Sequence, residues 1–293
     1  MSAPARWQQI TLYLTRGDVA QAELRLELAE ALAVTLEDAA DEPIFEPALG
    51  ETPLWPLTRV VALFDEYCDR AAITESLALG SGSEAWWEVI EDTDWTRSWM
   101  ERFKPIQCGP KLWIVPSWCT APDAEAVNVN LDPGLAFGTG THPTTHLCLS
   151  WLGELSLHGQ RVLDYGCGSG ILAVAAAKLG AVNVWAIDID PQAIAATRLN
   201  WGRNALPAAG LNADLPGGAP NSEFDLVVAN ILAGPLVELA DTLIERVAPG
   251  GRLALSGLLR EQIPAVTAAY SAHIEFDPPR TEGDWVLLTG RRH

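Results

Sequence analysis

The sequence predicts a doubly wound, mostly parallel α/β sheet over its larger carboxy-terminal part, preceded by a small α+β unit. Three observations carry this. Val162–Asp190, VLDYGCGSGILAVAAAKLGAVNVWAIDID, reads as strand, glycine turn, helix and strand, ending in an acid. From Lys104 onward, short apolar runs alternate with helix-length segments, the pattern of strands joined by crossover helices. Residues 1 to about 90 instead mix strand-like and helix-like runs without glycine loops.

The elements follow in order. Trp7–Leu14 alternates apolar and polar residues and reads as a strand. Asp18–Ala33 carries Leu24, Leu26, Leu28 and Leu32 at helical spacing, and Thr58–Phe64 and Ala85–Ile90 read as strands. Such alternation in so short a stretch predicts a ferredoxin-like α+β domain over 1–90. It contains nothing resembling catalytic machinery, so its expected role is substrate recognition. In Glu91–Phe103, Asp92 or Thr93 can cap a helix that places Trp95, Trp99 and Phe103 on one face. A linker helix is therefore expected over 91–104, and the α/β domain over 105–293. Within the latter, Pro191 follows Asp190 at a helix start, with the helix running on through Gln192–Asn204. Phe224–Ala229 is an apolar strand ending at Asn230; Pro235–Val247 reads as a helix stopped by Pro249-Gly250-Gly251. Arg252–Leu258 reads as a strand, Gln262–Ala272 as a helix, and His273–Phe276 and Trp285–Thr289 as two closing strands.

Composition narrows the function classes. The chain has 293 residues, 48% of them hydrophobic, enough for one large domain or two ordinary ones. No apolar run approaches the ~20 residues needed to cross a bilayer, and the amino terminus lacks signal-peptide features. The five cysteines are scattered and form no CxxC pair, which points to reduced thiols in a cytoplasm rather than disulfides or a zinc site. The formal net charge of −19 repels phosphate backbones, so direct nucleic-acid binding is not expected; a basic protein would be attracted.

The glycine turn selects the nucleotide. Gly166, Gly168 and Gly170 alternate, whereas a dinucleotide fingerprint needs its third glycine one residue later, at Ile171. At Gly166 a side chain would block a ligand's approach to the backbone. Asp188 ends the next strand, where a carboxylate can accept from both ribose hydroxyls of a nucleoside; Asp190 is better explained as a helix cap. Asn230 ends a further strand at the same edge. Thr145 lies in the first turn of a helix that follows the Gly/Pro-rich stretch LDPGLAFGTGTHPTTHLCL, Leu131–Leu149, and can donate to a cofactor carboxylate there. Phe137, in that stretch, suits either a position near a sulfonium cation or a place in the core. His142 and His146 lie four apart but have no third ligand of matching spacing, so no metal is expected.

The compact turn resembles the first motif of S-adenosylmethionine-dependent methyltransferases. Many amino-methyltransferases follow an Asn or Asp such as Asn230 with Pro-Pro and an aromatic ring; this chain has Asn230-Ile231-Leu232, which favours a flexible aliphatic amine over a planar acceptor. LDPGLAFGTGTHPTT, VLDYGCGSGILA, IDIDPQAI and VVANILAGPL together resemble the bacterial ribosomal protein L11 methyltransferase family, over essentially the whole chain. The resemblance implies a Rossmann-like class I methyltransferase domain. It implies S-adenosyl-L-methionine as methyl donor and a basic large-subunit ribosomal protein, L11, as substrate, modified at its N-terminal α-amine and at lysines. By motif position Thr145, Gly166, Asp188 and Asn230 inherit the cofactor contacts, and Asn230 also faces the accepting amine. A cytoplasmic monomer is expected. Between Asn204 and Glu223 the sequence is rich in Ala, Pro and Gly, so the strand there is expected to be short, with Asp214 a weak candidate for the adenine contact.

Overall fold

A computed structural model of the chain describes residues 6–40, 53–79, 85–91, 103–132, 140–218 and 222–293. It divides into two compact units, Met1–Trp99 and Met100–His293.

The first unit runs β1 (Arg6–Thr15), α1 (Arg16–Leu28), β2 (Ala33–Asp38), β3 (Leu57–Asp65), α2 (Arg70–Leu77) and β4 (Ala85–Glu91). Its sheet has the order β2-β3-β1-β4, with every neighbouring pair antiparallel. Alternate residues of β1 and β3, including Ile10, Leu12, Val60, Ala62 and Phe64, are buried together with Val19 and Leu26 of α1 and Ile73 of α2. Two expectations are corrected. The helix ends at Leu28, followed by Glu30 in the left-handed region (φ 65°), and a strand not anticipated from the sequence begins at Ala33. Of the four leucines at helical spacing only Leu26 is buried; Leu24, Leu28 and Leu32 are exposed. The expected linker helix, with Trp95 and Trp99, falls almost wholly outside the described residues.

The second unit opens with a small sheet, β5 (Ile106–Gln107), β6 (Leu112–Val115) and β7 (Val127–Asn130), that the sequence did not reveal. Helix α3 (Pro143–Gly153) follows. The main sheet then alternates β8 (Arg161–Tyr165), α4 (Ile171–Lys178), β9 (Asn183–Ile187), α5 (Pro191–Arg203), β10 (Leu211–Asp214) and β11 (Phe224–Asn230). It closes with α6 (Ala233–Glu238), α7 (Ala240–Arg246), β12 (Val247–Leu259), α8 (Ile263–Tyr270), β13 (Ile274–Phe276), β14 (Arg280–Glu282) and β15 (Trp285–Arg292). The strand order is β10-β9-β8-β11-β12-β15-β13, with β14 on β15. Strands β8 to β12 are parallel, and β15 runs antiparallel to β12. The expected single helix Pro235–Val247 is two short helices divided at Leu239, and β12 begins at Val247 rather than Arg252.

Both faces of this sheet are buried, which is why its strands read as near-continuous apolar runs. Along β11, Leu226 and Val228 join one core with α3, α4 and α5, while Val227 and Ala229 join the other with α6, α7 and α8. The chain leaves β8 toward β9 on one side and returns to β11 on the other. That reversal opens a crevice at the carboxyl ends of β8 and β11, where ligands bind in open α/β sheets.

Candidate active site

The site is assembled around the turn from β8 to α4. Gly166, Gly168 and Gly170 all have positive φ (79°, 53° and 75°), a region that other L-residues rarely adopt. The Gly166 and Cys167 amides both donate to the Ile187 carbonyl (2.7 and 3.0 Å), tying the turn to the end of β9. The structure adds a packing reason for glycine at 166 beside the expected approach of a ligand. A Cβ there would lie 2.2 Å from Cγ2 of Ile231, so the turn is packed against the segment after β11 rather than merely kept clear for a ligand.

Asp188, half-buried at the end of β9, closes the turn from the other side. One carboxylate oxygen accepts from the Gly168 amide at 2.9 Å and the other from the Asp190 amide at 3.0 Å. Each carboxylate oxygen has further acceptor capacity, which is what a pair of ribose hydroxyls requires. Asp190 caps α5 by accepting from the Gln192 amide at 2.8 Å, ahead of Pro191 at the first helical position.

Asn230 and Thr145 meet although 85 residues separate them: the Asn230 amide nitrogen donates to the Thr145 hydroxyl at 3.2 Å. Thr145 is fully buried, so its hydroxyl faces Asn230 inside the protein. The Asn230 carbonyl oxygen, Oδ1, is also buried and has no hydrogen-bond partner among the described residues. Leaving such an acceptor unpaired costs about 1–3 kcal/mol, which a donor on a bound molecule would relieve. His142 caps α3, its ring accepting from the Thr144 amide at 3.4 Å and packing edge-on against Trp285 at 4.9 Å; burial holds its pKa below the usual value. His146 is engaged separately, by Glu282 at 2.6 Å and the Gln107 carbonyl at 3.2 Å. Phe137 lies outside the described residues.

Several site residues escaped sequence reasoning. Asp164, at the end of β8, is buried; one oxygen accepts from the Ala173 amide in the first turn of α4 at 3.0 Å and the other has no partner among the described residues. Burial pushes its pKa up to about 7. Its place after the strand and before the glycines was the available signal. Helix α5 holds the turn from behind. Thr197 donates to the Gly168 carbonyl (3.2 Å) and Asn200 to the Ser169 carbonyl (2.8 Å). Asn204 pairs with both backbone groups of Asn130 at the end of β7, accepting from the amide and donating to the carbonyl at 2.8 Å each. Their i, i+3, i+7 spacing is one face of a helix and was legible. Gly257 (φ 89°) sits at an irregularity of β12; a Cβ there would lie 2.2 Å from the Ile231 carbonyl oxygen. Finally, Ile189, Leu215 and Leu232, just past the ends of β9, β10 and β11, are exposed aliphatic side chains, Ile189 at 84%. They offer apolar contact to a flat ring at the edge where Asp188 offers a polar one. Asp214 spends one oxygen on the neighbouring Leu215 amide (2.8 Å).

The strand order with its antiparallel β15, the three-glycine turn and the acid after β9 define a class I S-adenosylmethionine-dependent methyltransferase. A model of the family described as ribosomal protein L11 methyltransferase (PrmA) matches residues 6–293. The ribosomal protein L11 methyltransferase of Teredinibacter turnerae is 52% identical over 98% of this chain and 97% of its own length. That of Pseudomonas aeruginosa is also 52% identical, over 98% of each chain. A crystal structure of ribosomal protein L11 methylase from Lactobacillus delbrueckii subsp. bulgaricus, 33% identical, superposes with a TM-score of 0.59 over 65% of this chain and all of that one. The chain belongs to the ribosomal protein L11 methyltransferase family.

Proposed function

We propose that the protein transfers methyl groups from S-adenosylmethionine to amines of ribosomal protein L11, its N-terminal α-amine and lysine side chains. The observation that carries this is the buried Oδ1 of Asn230 at the carboxyl end of β11, which has no partner among the described residues and is an acceptor suited to an amine N–H. The absence of an aromatic ring at Ile231 and Leu232 fits an aliphatic amine better than a planar amide or base. In this reading Asp188 accepts from the cofactor's ribose, the turn at Gly166 gives its backbone close approach, and Thr145 orients Asn230.

The cofactor supplies an electrophilic methyl on a sulfonium, attacked in line by an uncharged amine. A lysine with pKa ~10.4 must lose its proton at a cost of roughly 4 kcal/mol at neutral pH, whereas an α-amine at 7.7–8.0 costs much less. Desolvation in the crevice favours the neutral amine, and Asn230 Oδ1, accepting one N–H, aims the lone pair. Alignment of this kind contributes roughly 7–11 kcal/mol in favourable cases.

The amino-terminal unit, read as a ferredoxin-like domain over 1–90, presents the substrate. Residues 91–104 form the connector, and residues 105–293 hold the cofactor. The division into compact units at Trp99 falls within that connector. The acidic charge supports a basic protein partner rather than nucleic acid, and no helix among the described residues is long and apolar enough to cross a membrane. A cytoplasmic monomer completes the reading. Mass spectrometry of ribosomal proteins after incubation with the enzyme and methyl-labelled cofactor tests it: label is expected on L11, and its absence there overturns the assignment.

A further inference from the structure

Behind the glycine turn, Asn200 of α5 is buried and spends both ends of its carboxamide. Its Nδ2 donates to the Ser169 carbonyl at 2.8 Å, and its Oδ1 accepts from Nη1 of Arg203 at 3.2 Å. Arginine can only donate, so Arg203 fixes Oδ1 on its own side and leaves Nδ2 facing the turn. The Ser169 carbonyl and the Gly170 N–H share one planar peptide, so holding the carbonyl also sets the amide. Gly170 has φ 75°, and its amide donates to the Cys167 carbonyl at 2.7 Å. Arg203 thus acts on the turn through Asn200.

Arg203 is itself held from the other side. Its Nη2 lies 3.5 Å from one oxygen of Asp132, whose other oxygen accepts from the Ser117 amide at 2.7 Å. Asp132 stands two residues past the end of β7 and opens the run DPGLAFGTGTHPTT, which ends at Thr145, the partner of Asn230. Beside this pair Asn204 holds both backbone groups of Asn130 and also donates to the Asn200 carbonyl at 2.8 Å. A surface ion pair of this length stabilises a fold little. Here, however, the guanidinium fork joins two groups from distant parts of the chain, one at the entry to the Thr145 run and one on the turn.

We propose that Arg203 is a positioning residue. By bridging Asp132 and Asn200 it couples the end of β7 to the glycine turn, so that cofactor binding at the turn and the order of the segment at 130–132 reinforce one another. This rests on reading the turn as the cofactor site. The plainer role for Arg203 is that of a cation in the last turn of α5, favourable to the helix dipole. Lysine separates the two roles. It keeps the charge at the helix end and can still pair with Asp132, but a single ammonium lacks the planar fork that holds Asn200 Oδ1 at the same time.

The test uses the full-length chain. Binding of S-adenosylmethionine by calorimetry is compared for wild type, Arg203→Lys, Asp132→Asn and the double variant, after urea unfolding establishes that each is folded. Asp132→Asn keeps an acceptor for the Ser117 amide and removes the charge. Each single variant is expected to raise the cofactor Kd about fivefold, and the double variant no further, because both changes break one bridge. Hydrogen exchange read by mass spectrometry reports on the other end. The cofactor is expected to slow exchange at residues 127–132 in wild type and to leave it unchanged in Arg203→Lys. Three results would each overturn the coupling: single variants that bind the cofactor as wild type does, effects that multiply in the double variant, or a wild-type β7 end whose exchange ignores the cofactor. A wild-type chain that does not bind S-adenosylmethionine removes the cofactor reading itself, and the coupling falls with it.

Discussion

Replacing Gly166 with alanine separates two reasons for a glycine there. If glycine serves only to let a ligand approach, Gly166→Ala weakens cofactor binding and leaves the apoprotein as stable as before. The structure says otherwise. The residue has φ 79°, where an alanine costs about 1–2 kcal/mol. Its Cβ would also lie 2.2 Å from Ile231 Cγ2, an overlap that must be relieved by movement, typically about 1–3 kcal/mol. Together these predict a loss of about 2–5 kcal/mol in unfolding free energy without any ligand. The Ile231 Cβ stands 3.7 Å away, an ordinary contact, so Ile231→Ala removes the clash and leaves the backbone strain. A double-mutant cycle by urea unfolding of the ligand-free protein is therefore expected to return about 1–3 kcal/mol of coupling, with the remaining 1–2 persisting in the double variant. Coupling within error of zero, or a Gly166→Ala protein of wild-type stability that has lost only cofactor affinity, would refute the packing explanation.

Three further outcomes are expected. Asn230→Ala should lower the single-turnover methylation rate by about 100-fold at saturating cofactor; a wild-type rate would exclude an orienting role. Asp164 has a folded-state pKa raised from 3.8 to about 7, so its contribution is fully present below pH 3.8 and is lost as pH rises toward 7. Asp164→Asn keeps an acceptor for Ala173 and does not titrate; its stability relative to wild type should rise by up to about 4 kcal/mol between pH 4 and pH 8, measured by urea unfolding at each pH. Asn204→Ala strands the Asn130 amide and carbonyl and should cost about 2–4 kcal/mol. It should also weaken cofactor binding several-fold through Asn200 and the turn, whereas a purely structural role would leave the Kd of the folded variant untouched.

Local pattern made most of the second unit readable. The apolar runs of β8, β9 and β11 are buried on both faces, so burial alone marks them. Asp190-Pro191 marks a helix start because the cap and the fixed proline φ act within three residues. Where pattern failed, the stabilising contact was distant or the element too short. Strands β5 to β7 have two to four residues each and hold together by pairing rather than by periodicity. The leucines that suggested a helix to Ala33 have helical spacing, yet three of them face solvent, and the chain turns at Glu30 to reach β3. In 233–246 the amphipathic pattern is continuous; the break at Leu239 leaves no mark in it.

The sequence by itself determined the chemistry on offer: a glycine turn too compact for a dinucleotide, an acid at the following strand end and a polar amide at a third. Residue type and spacing within one strand–turn–helix unit are enough for that, because neighbouring dihedrals and covalent reach set the geometry. Only the tertiary structure decided what those groups touch. It set Gly166 against Ile231, Asn230 against Thr145 85 residues away, and Asn204 against Asn130 74 residues away. It also left Asn230 Oδ1 buried with no partner among the described residues. Those contacts follow from strand order and crossover, which bring β8 beside β11 and fold α5 back over the turn; no local sequence window contains both partners, so no local rule can pair them.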